Sequence, residues 1–247
     1  MKQYCVTTAM GKRLIGKGMA AHPDVRRALA GGMLVIIAGT TNGYVAEEVL
    51  GAIGQAEGFT RLGFCRGLTV APGAKRSSAP FPGDVVIRRG QWERGKTIYD
   101  VVDELRAGDV VLKGANAFDA RGQPAVQIGH TQGGTVLEAV RAVIGRRAQL
   151  IVPVGLEKRV FGDIVELSMR CNAADAQGVR MFPFPGRIFT ELDAIKLLTG
   201  ADAMQLAAGG IWGAEGSAWL GIEGSAEQLA AADTLIRSLE GELPCRV

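Results

Sequence analysis

The chain is poor in the residues that most metal and redox chemistries need. It has two histidines, His22 and His130, and four cysteines, Cys5, Cys65, Cys171 and Cys245, spread over 247 residues. There is no Cys-x-x-Cys pair, and structural zinc sites draw their ligands in such close pairs. No metal and no cofactor is therefore expected, and the cysteines read as buried free thiols of a reducing compartment. Aromatic residues are 6% of the chain. The basic residues come as scattered pairs, Lys12-Arg13, Arg26-Arg27, Arg88-Arg89 and Arg146-Arg147, mixed with acids to a net charge of +3. A nucleic-acid binder gathers its basic residues into a stripe with aromatics between them, so nucleic acid is not an expected partner. No apolar run approaches the roughly 18 residues of a membrane helix; the longest compact one covers residues 33–38. The opening Met1-Lys2-Gln3-Tyr4-Cys5 has no long apolar core of the signal-peptide kind. The expectation is a cytoplasmic protein that does not engage membranes.

Glycine is what the chain has in excess. The 35 glycines are about twice the usual share and follow no collagen-like period. In a folded chain they mark tight turns and places where backbone comes close to something else. Short β-branched runs alternate with longer helical segments. Strands are expected at residues 33–38, 84–88, 109–112, 125–128 and 150–154. Helices are expected over residues 6–29, 44–53, 97–105 and 136–144. This alternation predicts a mainly parallel sheet with helices on both faces, its strands apolar throughout because both sides are buried. Residues 71–83, with three prolines, form a long loop whose Lys75 and Arg76 could close over an anion; a plain solvated loop is the simpler reading.

After residue 185 the rhythm changes. Thr190-Glu191-Leu192-Asp193 and Ser225-Ala226-Glu227-Gln228 have the form of capping boxes, and Gly200 suits a helix C-terminus. Helices to Leu198 and Leu239 and strands at residues 203–208 and 218–222 would give the order β-α-β-β-α-β of a small ferredoxin-like α+β domain. The expected division is a core over residues 1–185 and a small domain over 186–247.

Four loops follow expected strands. Gly39-Thr40-Thr41-Asn42 precedes a helix, whose N-terminus offers unpaired N–H groups and a partial positive charge. Asn42 there is either a ligand or an ordinary N-cap. Gly129-His130-Thr131-Gln132-Gly133-Gly134-Thr135 has the same setting and lacks the lysine of a nucleotide P-loop, which excludes nucleoside-triphosphate hydrolysis. His130 is a candidate acid or base, or simply a hydrogen-bonding loop residue. Lys113 and Asn116 follow a third strand, and Glu157 and Lys158 a fourth, at the carboxyl edge where open α/β sheets bind ligands. Glu138, about a turn into the helix after Gly134, either faces the loops as a base or faces water.

Taken together these segments resemble the superfamily of ribose-5-phosphate isomerase, glucosamine-6-phosphate deaminase and CoA-transferase. The Gly39–Asn42 loop is similar to the isomerase's G-T-G-S-T phosphate loop, and residues 113–119 to its D-G-A-D-E-I-D segment. Residues 129–134 are similar to its glycine-rich run, and Glu157-Lys158-Arg159-Val160 to its Ser-Lys-x-Val element. All four occur in the family's order across residues 33–167. The resemblance implies a Rossmann-like core, a ferredoxin-like domain, dimers or tetramers, and phosphate binding by Gly39, Thr40, Thr41, Asn42, Gly129, Thr131, Gly133 and Gly134. The family's carboxylates are replaced by Lys113, Asn116 and Ala117. Its glycine-rich lysine has no counterpart near Gly129, and Glu138 falls one residue short of the catalytic glutamate. Two readings follow. One is an enzyme on a phosphorylated metabolite, with Glu138 as base, His130 as proton carrier, and Lys113 or Lys158 on an enediolate oxygen. The other is a metabolite-binding or regulatory protein without catalysis.

Overall fold

The computed structural model describes residues 1–73 and 78–244; Lys75, Arg76 and Cys245 lie outside them. The chain begins with strand β1 (Lys2–Val6) and helix α1 (Thr8–Ala21). The hydroxyl of Thr7 caps α1 by accepting from the Met10 N–H at 3.3 Å. His22 ends α1, and Pro23 sits at the first position of α2 (Pro23–Gly31), where its missing N–H costs nothing. The helical pattern over residues 6–29 is thus two helices broken at the proline, and β1 lies ahead of it. Next come β2 (Met33–Ile36), α3 (Thr40–Ala52), α4 (Arg61–Phe64), β3 (Val85–Arg88), β4 (Gln91–Trp92) and α5 (Ile98–Val101). The middle of the chain supplies β5 (Val110–Leu112), β6 (Ala117–Phe118), β7 (Pro124–Ile128), α6 (Thr135–Arg146) and β8 (Gln149–Pro153). The last third holds α7 (Ile164–Cys171), β9 (Arg180–Pro183), β10 (Arg187–Phe189), α8 (Glu191–Thr199), β11 (Asp202–Ala208), β12 (Ala218–Glu223) and α9 (Ala226–Arg237).

The protein is a mixed α/β structure with three sheets among the described residues. The largest has the order β10-β8-β5-β2-β3-β4. Its first four strands are parallel; β3 runs antiparallel to β2, and β4 antiparallel to β3. Leu34, Val35, Ile36, Val110, Val111 and Leu112 are all fully buried, as a strand covered on both faces requires. β7 was expected in this sheet. It pairs instead with β6 and β9 in a small antiparallel sheet.

The third sheet, β1-β12-β11, is antiparallel. Both expected capping boxes are formed, and Gly200 takes the left-handed conformation (φ 73°) that ends α8. The strand before α8 is β10, which belongs to the large sheet, and the strand joining β11 and β12 comes from the N-terminus. The expected β-α-β-β-α-β order is therefore not made within residues 186–247 among the described residues. Strand β1 was unread because its partner β12 lies more than two hundred residues along the chain.

Helix α1 packs between α3 and α8. Its glycines make that possible: a Cβ on Gly16 would stand 2.9 Å from the Tyr44 carbonyl, and one on Gly18 would stand 2.8 Å from the Phe189 ring. Arg13 on the same helix donates to Glu47, Glu48 and Glu242 at 2.8–2.9 Å, tying α1 to α3 and to the chain's last described stretch. Cys5 and Cys171 are free as expected but half-buried, not buried, and Cys65 is disulfide-bonded, against the expectation. No helix among the described residues is long and apolar enough to cross a membrane.

Candidate anion-binding cavity

β2 and β5 are neighbours whose chains leave in opposite directions. After β2 the next strand of the sheet is β3, on one side; after β5 it is β8, on the other. Where the connections diverge in this way, the loops beyond the carboxyl ends of the two strands separate and leave a crevice. A cavity of about 660 Å³ opens there, lined by residues 37–42 after β2 and 113–116 after β5. Gly129, His130, Gly133 and Gly134 form another part of its wall, and Lys158 another. The two glycine-threonine loops thus meet in one cavity, although the strand before the second belongs to the small sheet. A smaller cavity, of about 160 Å³, lies at the opposite ends of the strands around Arg88, Arg106 and Asp109.

Helices α3 and α6 both begin at the larger cavity, and both begin on a glycine with no side-chain cap. Their first N–H groups are therefore not taken by a capping oxygen. A Cβ on Gly39 would meet nothing within 4 Å, so a side chain there would enter open space. Gly133 and Gly134 have φ of 79° and 69°, a left-handed pair that side chains resist.

The side chains of this wall divide into holders and free groups. Asn42 is a holder: its amide donates to the carbonyls of Ile37 at 2.8 Å and Leu112 at 3.0 Å, pinning the ends of β2 and β5 together beneath α3. It is neither the N-cap nor, through this nitrogen, free for a ligand. Its Oδ1 and the Thr41 hydroxyl are buried without partners among the described residues. Asn116 accepts from the Gln127 N–H at 3.0 Å and holds the 113–116 turn against β7. Asp84, 2% exposed, was not foreseen; it accepts from the N–H groups of Ala38 at 2.9 Å and Ile98 at 2.8 Å. Burial raises its pKa, and those two N–H groups oppose the rise.

The free groups are lysines. Lys113 is buried, and its ammonium donates only to the Gly114 carbonyl, at 3.1 Å, among the described residues. Burial and then the charge of Lys158 bring its pKa down to about 8, against the pull of Asp84. Lys158 is itself lowered, chiefly by burial, with Glu157 opposing. Neither Lys158 nor Lys12, a third lining lysine reached from α1, has an ion pair or a side-chain hydrogen bond among the described residues. Arg66 completes the cationic lining and stacks on Phe81 at 4.2 Å. Thr97 and Tyr99 also line the cavity. Lys12, Arg66, Thr97 and Tyr99 were missed because nothing local distinguishes them from surface residues.

Two expected residues stand elsewhere. Glu138 is not among the lining residues; its carboxylate pairs with Arg141 at 3.1 Å one turn further along α6. Thr131 is exposed and also outside the lining. His130 lies at the rim, its Nδ1 accepting from the Gln132 N–H at 3.1 Å, as a loop-bracing histidine does. No cluster of side chains suited to a metal is present among the described residues. Comparison of the chain with protein-family models, with curated proteins and with solved structures finds no match.

Proposed function

We propose that the chain binds a small phosphorylated metabolite in this cavity. The observation that carries the reading is the opening of two uncapped helix N-termini onto one space that also receives Lys12, Lys113 and Lys158. Helix N-termini bind phosphate through N–H groups and dipole together. A buried ammonium without a carboxylate, as at Lys113, is costly unless an anion joins it. The resemblance to the phosphosugar isomerase superfamily points the same way, since it assigns a phosphate to the Gly39–Asn42 loop. It also carries the expectation of a Rossmann-like core and of a homodimer or tetramer.

Whether the metabolite is turned over divides two readings. An isomerase-like enzyme needs a base in the cavity. Glu138 is paired outside it, and Asp84 spends both oxygens on backbone N–H groups. Those two facts favour the second reading, a binding or regulatory role, unless one of the lysines does the chemistry.

The test is thermal denaturation with inorganic phosphate, ribose 5-phosphate and unphosphorylated ribose. A ligand that binds only the native state raises Tm, by about 2.7 kcal/mol of stability at a hundredfold excess over Kd. The phosphorylated compounds are expected to raise Tm and ribose not to. Gly39→Val keeps an extended backbone that any residue adopts (φ 172°) and puts a branched side chain into the open space. It should fold and lose the phosphate response. An unchanged Tm with millimolar phosphate, or a full response in Gly39→Val, would remove the proposal.

A further inference from the structure

Lys113 is placed unlike a residue whose task is only to hold an anion. It follows β5 directly, and it is 9% exposed. It lies within the electrostatic reach of a second, half-buried lysine of the cavity, Lys158, and has no carboxylate within 4.0 Å among the described residues. The carboxylate nearest in kind, Asp84, is already held by two N–H groups. An anion site needs positive charge, and an exposed lysine or an arginine supplies it at less cost in solvation. Burial beside a like charge works against the ammonium and in favour of the free amine. Those are the conditions under which lysine serves as a nucleophile toward carbonyl carbon. With its pKa brought from 10.5 to about 8, Lys113 carries far more free amine at neutral pH than an ordinary lysine.

We propose that Lys113 forms an imine with the carbonyl carbon of a phosphorylated aldehyde or ketone whose phosphate lies at the N-termini of α3 and α6. The inference rests on the anion-binding reading and adds the chemistry of the substrate's other end. The neutral Nζ attacks the carbonyl carbon and a C–N bond forms. The carbonyl π pair moves to oxygen, which takes a proton from the Lys158 ammonium. The nitrogen returns its extra proton to Lys158, and the hydroxyl leaves as water with one further proton from solvent. Amine, carbonyl compound and one proton give an iminium ion and one water; no oxidant or reductant enters. The iminium draws electrons from the neighbouring carbon and so makes its C–H bond more acidic.

The full chain is incubated at neutral pH with dihydroxyacetone phosphate and sodium cyanoborohydride, which reduces an iminium to a stable secondary amine. Peptide mapping by mass spectrometry locates the adduct. Lys113 is expected to be labelled at least about tenfold faster than any other lysine, well within its advantage in free amine. Inorganic phosphate should suppress the labelling, and dihydroxyacetone without phosphate should label Lys113 far more slowly. Lys113→Arg has no nucleophilic amine at this position, so it should lose the adduct. Even labelling across the lysines, or labelling at Lys158 in place of Lys113, overturns the inference. If phosphate raises Tm but no adduct forms, imine formation fails and the anion site stands. If phosphate has no effect and no adduct forms, both fail. The mapping uses the unaltered protein, so a folding defect in a variant does not decide the result.

Discussion

Replacing Glu191 with glutamine should stabilise the protein, and by an amount that grows with pH. Glu191 is the first residue of α8, 3% exposed, and its Oε2 accepts from the Leu156 N–H at 3.1 Å. Gly11 on α1 lies directly against its carboxylate, leaving no room for a Cβ. Burial, and after it the charge of Glu157, pushes its pKa from 4.5 up to about 8; the two N–H groups it accepts from and Lys158 pull the other way. Below pH 4.5 both native and unfolded chains hold the proton. Between 4.5 and about 8 the native carboxyl keeps a proton that the unfolded one releases, so stability falls as pH rises. Above about 8 both are ionised and the loss is complete. The window spans 3.5 pH units, so at about 1.4 kcal/mol each the loss reaches up to about 5 kcal/mol. Glutamine imitates the protonated form: it keeps an oxygen for the Leu156 N–H and carries no charge. Glu191→Gln should therefore match the parent at pH 4.5 and exceed it by several kcal/mol at pH 8. Urea denaturation of both proteins across this range measures the difference, with equal m-values as the check that the same unfolding is compared. A difference that stays flat with pH, or a variant less stable than the parent at pH 8, refutes the reasoning.

Lys113→Met should stabilise the protein at neutral pH by up to about 3 kcal/mol, and the gain should vanish as pH rises from about 8 to 10.5. The sign follows because the native lysine gives up its proton earlier than the unfolded one, so the parent gains stability with pH across that window; urea midpoints over pH 7–10.5 report it. Asn42→Asp sets a carboxylate against the Ile37 and Leu112 carbonyls in place of two donated hydrogen bonds, and should cost about 3 kcal/mol or more in chemical denaturation at neutral pH. Arg13→Met takes one partner from Glu47, Glu48 and Glu242, which keep Arg61 and Lys17, and should lower stability by about 1 kcal/mol, read in the same assay.

The parts of the fold that local chemistry dictates were legible. Residues 33–36 and 110–112 are apolar without interruption, as strands covered on both faces must be. The Thr190/Asp193 and Ser225/Gln228 boxes and Gly200 set the bounds of α8 and α9. The Gly39 and Gly133-Gly134 helix starts could be placed because a glycine before a helix has a local meaning. What could not be read depends on long-range pairing. The residues of β1 are short and mixed, and only β12 makes them a strand. β7 has the look of a core strand, and its sheet is decided by β9, more than fifty residues on. Lys12 is half of an ordinary Lys-Arg pair on a helix; α1 faces the cavity because Gly16 and Gly18 let α3 and α8 close around it.

Glu138 and Glu191 show the same limit from opposite sides. The family pattern drew attention to Glu138, yet on α6 it has Arg141 within reach, and an exposed helix pair satisfies it. Glu191 read as filler inside a capping box, and it is a carboxyl that the fold buries, because Gly11 yields its place. Ionisable groups without an ion pair among the described residues include Lys113 and Lys158 on the cavity and Glu191 behind the 155–158 turn. Such groups cost stability, and the two lysines line the cavity where β2 and β5 diverge. A lysine surrounded by carboxylates would be at rest without a ligand; Lys113 is not, and an anion in the cavity is what lowers its free energy. Phosphate binding should therefore raise the pKa of Lys113 and protect it from reagents that need the free amine. The carbonyl of a substrate must meet that amine before, or apart from, full neutralisation by its own phosphate, which is why the position of the phosphate at the helix N-termini matters to the chemistry at Lys113.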